Sequence, residues 1–342
     1  MRTSRVITFG LWLLAMTFIP VLADEPAKIG ERLPRRGDEI MVCGQLYHTT
    51  TPVVLWTDPG GYDAYRLEPR FQPLPARTAE RKPSDPPEKI QKSRYGTRRR
   101  GLTDEEIEQV RGGGWDLPLL RKAIDQFVIH FDARGTSRGC FEVLHDRRDL
   151  SVHFMLDLDG TIYQTLDVKE QAWHATIANG RSIGIEVANI GAYPLDDDAT
   201  LGRWYQRGAD DTVEISFPNP RDREGIRNKA VALRPARNTP VEGTVQGQAL
   251  RQYDFTEAQY EALIRLTATL CTIFPEITCD YPRDAEGKLR TAKLPDPEFA
   301  SYHGILGHFH VQTNKIDPGP AFQWDRLVTE AKALMNQGRS EE

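Results

Sequence analysis

The chain has 342 residues, of which 39% are hydrophobic and 27% charged, and its formal net charge is -5 at pH 7. Positive and negative residues are mixed along it, which argues against nucleic acid as a partner, because nucleic-acid-binding proteins carry a clustered basic surface. The length suffices for one main domain with additions or for two domains.

The first residues have the pattern of a secretory signal peptide. Arg2 and Arg5 precede an apolar run, Val6 to Leu22, and the run is followed by Ala23 and Asp24. A basic start, an apolar run and a small residue at the cleavage position are typical of such a peptide. We predict that residues 1–23 are removed, that the protein is exported to the periplasm or the cell exterior, and that no membrane span remains. An uncleaved anchor is the alternative, because the run has about the length of a short span.

Two regions precede the predicted main domain. Residues 24–71 contain short β-like runs at 40–43 and 52–56. They predict a small β-rich extension, either as an accessory unit or as strands added to the main sheet. Residues 72–100 are rich in proline and charge and end in three arginines. This composition is typical of a surface linker.

The main domain is predicted to cover residues 101–336, with a short tail at 337–342. Capping boxes at Thr103–Glu106 and Thr256–Gln259 indicate the starts of two helices, and a closing helix is predicted at 321–335. Residues 201–249 contain four prolines and little periodicity, so we interpret them as a long insertion. Hydrophobic runs predict strands at 125–130, 151–156, 161–165 and 181–187.

The chain has four cysteines, and export would permit disulfides. Cys271 and Cys279 are eight residues apart across the end of a predicted helix, which makes them the easiest pair to join. Cys43 and Cys140 would then remain. The sequence alone allows three pairings and does not select one.

Potential metal ligands occur in two distant places. His130 ends a predicted strand, and the segment Gly307 to Pro320 contains His308, His310, Lys315 and Asp317. A catalytic zinc site needs three protein ligands of imidazole, carboxylate or thiolate type and one open position. If the segment is extended, His308 and His310 point to the same face, so that both could approach a metal or one could support the other.

Six short segments carry the most specific pattern in the chain. They are Phe127-Val-Ile-His130, Ser151-Val-His-Phe154, Asp159-Gly-Thr-Ile-Tyr163, Ala172-Trp-His-Ala175, Ser182-Ile-Gly-Ile-Glu186, and Gly307-His308 with Lys315-Ile-Asp-Pro-Gly-Pro320. Together and in this order, they resemble the type-2 N-acetylmuramoyl-L-alanine amidases, the relatives of phage amidase lysozymes and peptidoglycan recognition proteins. One such segment is a weak signal, whereas six in order are specific.

The resemblance implies an α/β fold with a central mixed β-sheet flanked by helices, to which the N-terminal extension and the insertion are added. It implies one zinc ion (Zn2+) held by His130, His308 and Asp317, with water in the fourth position. Glu186 would be the general base and acid, and Lys315 would stabilise the oxyanion. The substrate would be peptidoglycan or muropeptides, cut between the lactyl group of muramic acid and L-alanine.

Four further residues are expected around this site. Relatives carry histidine at the positions of His153 and His174 without using it as a ligand, so these residues, together with Trp173, are expected to support the site or contact the substrate. His310 stands where many relatives have aspartate. It is expected beside the ligands, with ligation in place of His308 as the alternative.

Two other functions remain open from the sequence. The same fold serves as a peptidoglycan receptor without catalysis when a ligand is lost, and receptors of that type replace the residue that is Asp317 here. A zinc hydrolase that acts on another cell-wall amide or on a protein is the third possibility.

Overall fold

The computed structural model describes residues 34–71 and 93–339, together with Ile29. The predicted signal peptide, most of the predicted linker and the last residues of the tail lie outside the described residues. The chain divides into Met1–Arg35 and Arg36–Glu342, and every helix and strand described below belongs to the second unit.

A six-stranded mixed sheet forms the centre of the fold. Four neighbouring strands, β15, β5, β9 and β6, run parallel, β7 is antiparallel to β6, and β3 is parallel to β7 at the edge. The strands, in sheet order, are β15 (Gly304–Gly307), β5 (Gln126–Phe131), β9 (Ser182–Val187), β6 (Phe154–Leu156), β7 (Ile162–Gln164) and β3 (Val53–Leu55).

Helices cover the sheet, as the sequence predicts. The two predicted capping boxes are present at the starts of α1 and α6. The helices are α1 (Asp104–Arg111), α2 (Leu117–Ala123), α3 (Ser137–Phe141), α4 (Asp198–Trp204), α5 (Pro220–Glu224), α6 (Glu257–Ile273), α7 (Asp296–Ser301), α8 (His308–Val311) and α9 (Trp324–Arg339), with a π-helical turn at Glu142–Arg147 and a 3-10 turn at Thr176–Ala178.

Strand β5 separates two hydrophobic clusters. Its residues Phe127 and Ile129 pack into the cluster that includes α6 and α9. Val128 points to the opposite face and packs with Phe299 and Leu306. Because successive side chains of a strand alternate between the faces, His130 lies on the face of Val128, away from the cluster of α6 and α9.

The N-terminal strands belong to the same folded unit as the central sheet. Strand β3 extends the sheet, β1 (Glu39–Val42) and β2 (Gln45–His48) form a ribbon, and β4 (Tyr95–Thr97) pairs with β8 (Glu170–Ala172). The last residues of the segment predicted as a linker are therefore folded. Arg98, expected on the surface, is fully buried because its guanidinium donates to the backbone oxygens of Val168, Asn179 and Ser182.

The region predicted as an insertion contains regular structure in addition to loops. Strands β11 (Tyr205–Arg207) and β12 (Val213–Ile215) form one pair. Strands β13 (Val241–Val245) and β14 (Gln248–Gln252) form a hairpin, and β14 also pairs with β10 (Tyr193–Pro194). Strands of three to five residues are too short to produce a clear periodicity, which explains why the sequence did not indicate them.

All four cysteines are free thiols in the structure. The Cys271 and Cys279 thiols are close enough for each to shift the pKa of the other, raising that of Cys271 and lowering that of Cys279. They are neighbours, as their spacing indicates, but they are not joined by a disulfide here, and the pairing remains a prediction.

No helix within residues 34–71 and 93–339 combines the length and the apolar character needed to cross a membrane.

One buried arginine connects the starts of three parallel strands. Arg181 precedes β9 and forms a two-point ion pair with Asp125, which precedes β5, at 2.7 and 2.6 Å. Its guanidinium also donates to the backbone oxygens of Ala300 and Tyr302, just before β15, at 2.9 and 3.1 Å. The side chain of Arg181 is 7% exposed and that of Asp125 is 4% exposed, so little water replaces these contacts if they are lost.

We predict that Arg181→Met lowers the free energy of unfolding by about 3 kcal/mol, because the buried Asp125 keeps only weaker compensation from the more exposed Arg100, and the Ala300 and Tyr302 oxygens lose this donor. Arg234→Met is the matched control, since Arg234 and its partner Glu214 have exposed fractions of 44% and 61%. A surface pair contributes at most about 1 kcal/mol. Urea denaturation measures both, and equal effects would contradict the prediction.

A second buried group makes stability depend on pH. Asp157 follows β6, is 1% exposed, and its Oδ2 atom has no hydrogen-bond partner among the described residues. Burial, followed by the nearby charge of Asp159, raises the pKa of Asp157 to about 7. A carboxyl whose pKa is raised on folding stays protonated in the folded chain while it ionises in the unfolded chain. The folded state therefore loses stability as the pH rises from about 4 to 7.

We predict that Asp157→Asn is more favourable to stability at pH 8 than at pH 5, by an amount on the order of 2 kcal/mol. An asparagine oxygen still accepts from the backbone N–H groups that Asp157 Oδ1 accepts from, those of Leu158 and Ser137. Thermal unfolding at the two pH values, with Asp196→Asn at an exposed position as the control, measures the difference. An effect of Asp157→Asn that does not change with pH would contradict the assignment.

Candidate metal and active site

Two of the candidate residues lie side by side at the ends of neighbouring strands. His130 on β5 is directly paired in register with Glu186 on β9. Because the strands are parallel, both side chains point to the same face of the sheet. Both line a cleft with a volume of about 490 Å³, together with Trp173, His174, His308, Lys315 and Asp317.

The remaining ligand candidates come from the segment after β15, the strand on the other side of β5. Strand β15 ends at Gly307, and His308 begins the single turn of α8. The chain then returns through Lys315 to Asp317, whose backbone oxygen accepts a hydrogen bond from Phe309 N–H at 3.2 Å. This return brings the Asp317 carboxylate back to the His308 side chain.

Three atoms of these residues form a nearly equilateral triangle. The Nδ1 atoms of His130 and His308 are 2.9 Å apart, and Asp317 Oδ2 lies 2.9 Å from the first and 3.0 Å from the second. All three residues are buried. The two distant parts of the chain are therefore brought together, as the resemblance implies.

The neighbours of the two imidazoles determine which nitrogen faces the centre. His308 Nε2 lies 2.8 Å from Gln312 Oε1, which can only accept, so the proton is on Nε2 and Nδ1 carries a lone pair. His130 Nε2 lies 3.1 Å from His174 Nδ1, and His174 Nε2 lies 3.2 Å from Ser182 Oγ. If His130 Nε2 donates to His174 Nδ1 and His174 Nε2 donates to Ser182 Oγ, the outer nitrogen of His130 and both nitrogens of His174 have partners. His130 Nδ1 then carries no proton.

The triangle suits a divalent metal. Three acceptor atoms without a proton between them repel one another, whereas a cation at the centre would attract all three. Two imidazole nitrogens and one carboxylate oxygen are a common ligand set for zinc. Hydrogen bonds to the outer nitrogens of metal-bound histidines are typical of zinc sites. The residues present therefore fit the ion that the resemblance implies.

The charge states of the ligands agree with this reading. Burial, together with the neighbouring His308, lowers the pKa of His130 to about 4, so the ring is neutral at pH 7. Burial alone would raise the pKa of Asp317, but its close contacts with His308 and His130 hold it below its ordinary value. Neutral imidazoles and an ionised carboxylate are the forms that bind a metal.

A second cluster of histidine and carboxylate side chains lies elsewhere, and its members already have hydrogen-bond partners. Asp38, Glu39 and His48 lie close together on the β1–β2 ribbon. The Glu39 carboxylate already accepts from three backbone N–H groups, and the Asp38 carboxylate contacts His48 Nδ1 and Thr50 N–H. These contacts account for the cluster as local hydrogen bonding.

Glu186 stands beside the triangle with a free carboxylate. No described residue hydrogen-bonds to its oxygens, and it lines the cleft. Burial first, and then the charges of Asp317 and Asp132, raise the pKa of Glu186 well above its ordinary value. Lys315 lines the same cleft and partly offsets this effect by its positive charge. Such a carboxyl binds a proton more readily than an exposed one, which suits a group that accepts and returns a proton.

His174 and Trp173 lie where a supporting role requires them. Both line the cleft, and His174 holds the outer nitrogen of His130. A side chain at Gly184 would place a Cβ 2.5 Å from the His174 ring. The glycine in the Ser182–Glu186 segment is therefore needed for the close approach of this histidine to β9.

His153 and His310 lie outside the cleft lining. His153 Nδ1 accepts from Gly184 N–H at 3.1 Å and its Nε2 lies 3.0 Å from Glu170 O, so it supports β9 from behind. His310 Nδ1 accepts from Gly307 N–H at 2.9 Å, and its Nε2 donates to Arg290 O at 2.6 Å. Because α8 is helical, not extended, His308 and His310 do not share a face. Of the two, only His308 reaches the triangle.

Several residues of the site gave no signal in the sequence. Gln312 fixes the tautomer of His308, and Asn179 accepts from the backbone N–H groups of His174 and Ala175. Arg134 and Arg148 line the cleft as exposed cations. The position of Gln312, four residues after His308 on a helical turn, would have indicated its role only if the turn had been predicted.

Comparisons with known proteins identify a family for the chain. A family model described as N-acetylmuramoyl-L-alanine amidase matches residues 120–320. No curated protein matches the chain.

Three solved structures are among those that are similar to this chain. The E. coli amidase AmiD, in a complex with anhydro-N-acetylmuramic acid-L-Ala-D-γ-Glu-L-Lys, has 21% identity and a TM-score of 0.33, over 60% of this chain and 57% of that chain. A derivative of AmpD has 18% identity and a TM-score of 0.29, over 61% and 86% of the two chains. The endolysin amidase LysCS of Clostridium intestinale has 15% identity and a TM-score of 0.30, over 64% and 86%.

The match over residues 120–320 includes the strands and the loop that form the triangle and its neighbouring carboxylate. The chain belongs to the N-acetylmuramoyl-L-alanine amidase family.

Proposed function

We propose that this protein is a zinc-dependent amidase that cuts the bond between the lactyl group of muramic acid and L-alanine in peptidoglycan or its fragments. The observation that carries the proposal is the triangle of His130, His308 and Asp317 next to the free carboxylate of Glu186 in one cleft. Family membership supports the choice of bond.

Hydrogen bonds from neighbouring residues orient the two proposed imidazole ligands. Gln312 and His174 hold the outer nitrogens of the two imidazoles and direct both Nδ1 atoms to the centre. When bound, zinc supplies Lewis acidity, which lowers the pKa of water and polarises a carbonyl group.

Glu186 is proposed to move the proton. Its carboxylate takes a proton from the attacking water and later gives it to the departing amine of L-alanine, which would otherwise leave as an unstable anion. Lys315 lies in the same cleft and is proposed to stabilise the negative charge that develops on the carbonyl oxygen. Glu186 and Lys315 are half-buried in the cleft, where charges interact more strongly than in bulk water.

The proposed function also assigns roles to the parts of the chain. Residues 1–23 act as a signal peptide for export, and residues 101–336 form the main part of the amidase domain, to whose sheet β3 is added. An exported enzyme would meet its substrate in the periplasm or the cell wall.

We predict that Glu186→Gln lowers turnover of a defined muropeptide by about 10²- to 10⁴-fold, the usual contribution of a general acid or base. Glutamine keeps the size of the side chain but removes its ability to accept a proton, so zinc content should stay unchanged. Mass spectrometry of the products measures the reaction, because only this amidase yields a free lactyl carboxylate on the sugar.

The matched control is Glu261→Gln, at an exposed position of α6, which should keep parental activity. A Glu186→Gln variant as active as the parent would contradict the proposed mechanism. A parent protein that binds muropeptides but releases no product would favour the receptor. Release of a different product would favour a zinc hydrolase with another substrate.

A further inference from the structure

The segment that carries two of the three proposed ligands has little structure of its own. It consists of the one-turn helix α8, with His308, and the return loop to Asp317. A single helical turn is unstable in isolation, because nucleation costs more than one hydrogen bond returns, and its last carbonyls lack partners within the helix. Something outside the segment must hold it.

The hairpin of β13 and β14 contacts the first end of the segment, at Phe309 O within α8 and at Gln312 O, which follows α8 and also accepts from Lys315 N–H. Gln246 Nε2 donates to the backbone oxygens of Phe309 and Gln312, at 2.7 and 2.8 Å. Its Oε1 accepts from Lys293 N–H at 3.2 Å, so the whole amide is used. Gln312 in turn holds His308 Nε2 at 2.8 Å, which connects Gln246 to a proposed ligand through a single residue.

The same hairpin holds the second end of the segment. Gln252, fully buried at the end of β14, donates from Nε2 to Pro318 O at 3.1 Å and accepts at Oε1 from Ala321 N–H at 3.1 Å. A Cβ on Gly319 would lie only 2.1 Å from Gln252 Oε1, so the glycine permits this approach. The backbone on both sides of Lys315 and Asp317 is thereby fixed.

The backbone conformation of Gln246 is unfavourable for glutamine, which indicates that the hydrogen bonds of its side chain to Phe309 O and Gln312 O are important. Gln246 and Gly247 form a two-residue turn, and their φ angles are 52° and 74°. Such a turn, with positive φ at both positions, strongly favours Asn-Gly. Glutamine is unfavourable there, but it is one methylene longer than asparagine and reaches the α8 carbonyls.

We propose that Gln246 and Gln252 are positioning residues that hold His308 and Asp317 in the geometry required by the metal. The inference rests on the proposed function only in taking zinc as the ion. It assigns the role of a clamp on this segment to the β13–β14 hairpin, which begins within the predicted insertion, residues 201–249, and ends just beyond it at Gln252.

Gln246→Asn separates this role from a contribution to folding. Asparagine suits the turn better, so the thermal stability of the metal-free protein should be equal or higher, whereas its shorter amide no longer reaches Phe309 O and Gln312 O. We expect zinc affinity to fall about tenfold, as for other residues that support metal ligands. Competition with a chromophoric chelator measures the affinity, and the visible spectrum of the cobalt-substituted protein reports a change in ligand geometry.

Gln248→Asn, on the exposed side of the same hairpin, is the matched control and should bind zinc as the parent does. Equal zinc affinity of Gln246→Asn, Gln248→Asn and the parent would overturn the clamp and leave the proposed function intact. Absence of zinc binding by the parent itself would instead overturn the proposed function, and the clamp with it.

Discussion

The site depends on the parallel alignment of three neighbouring strands, β15, β5 and β9. At their starts, the buried guanidinium of Arg181 connects Asp125 before β5 with the carbonyls before β15, and Arg181 itself leads into β9. At the other ends of these strands, the register places His130 beside Glu186, and β15 ends next to β5 immediately before His308. Because a shift of one residue would turn these side chains to the opposite face, the register at one end of the sheet determines the chemistry at the other.

At the ends of these strands, two imidazole nitrogens and one carboxylate oxygen point to a common centre. Three buried acceptor atoms within 3.0 Å of one another are unfavourable without a positive charge between them. Gln312 and His174 keep the protons on the outer side of the rings, and Gln246 and Gln252 hold the backbone of the ligand segment. These hydrogen bonds involve the proposed ligands and the residues around them, whereas no described residue hydrogen-bonds to the side chains of Glu186 and Lys315, which line the cleft.

Local patterns predicted individual strands and helices, whereas the mixed central sheet and the site were implied by the resemblance of six short segments to a family. The buried runs ending at His130 and Glu186 indicate strands, and the capping box at Thr256 indicates α6, each from neighbouring residues. The clamp could not be predicted, since Gln246 acts on Phe309 across 63 residues of sequence and its strands are too short to show a period. The burial of Arg98 and the position of the His310 side chain outside the cleft could not be predicted for a similar reason. Whether a charged or polar side chain is buried depends on carbonyls supplied by distant segments, which the local sequence does not reveal.

X-ray absorption at the zinc edge of the zinc-loaded protein would examine the triangle most directly. Ligation by His130, His308 and Asp317 predicts a shell of nitrogen and oxygen atoms at about 2.0–2.1 Å with outer-shell scattering from two imidazoles, and loss of one imidazole in His308→Ala. Sulfur at about 2.3 Å, or an unchanged spectrum after that substitution, would contradict the assignment of the ligands.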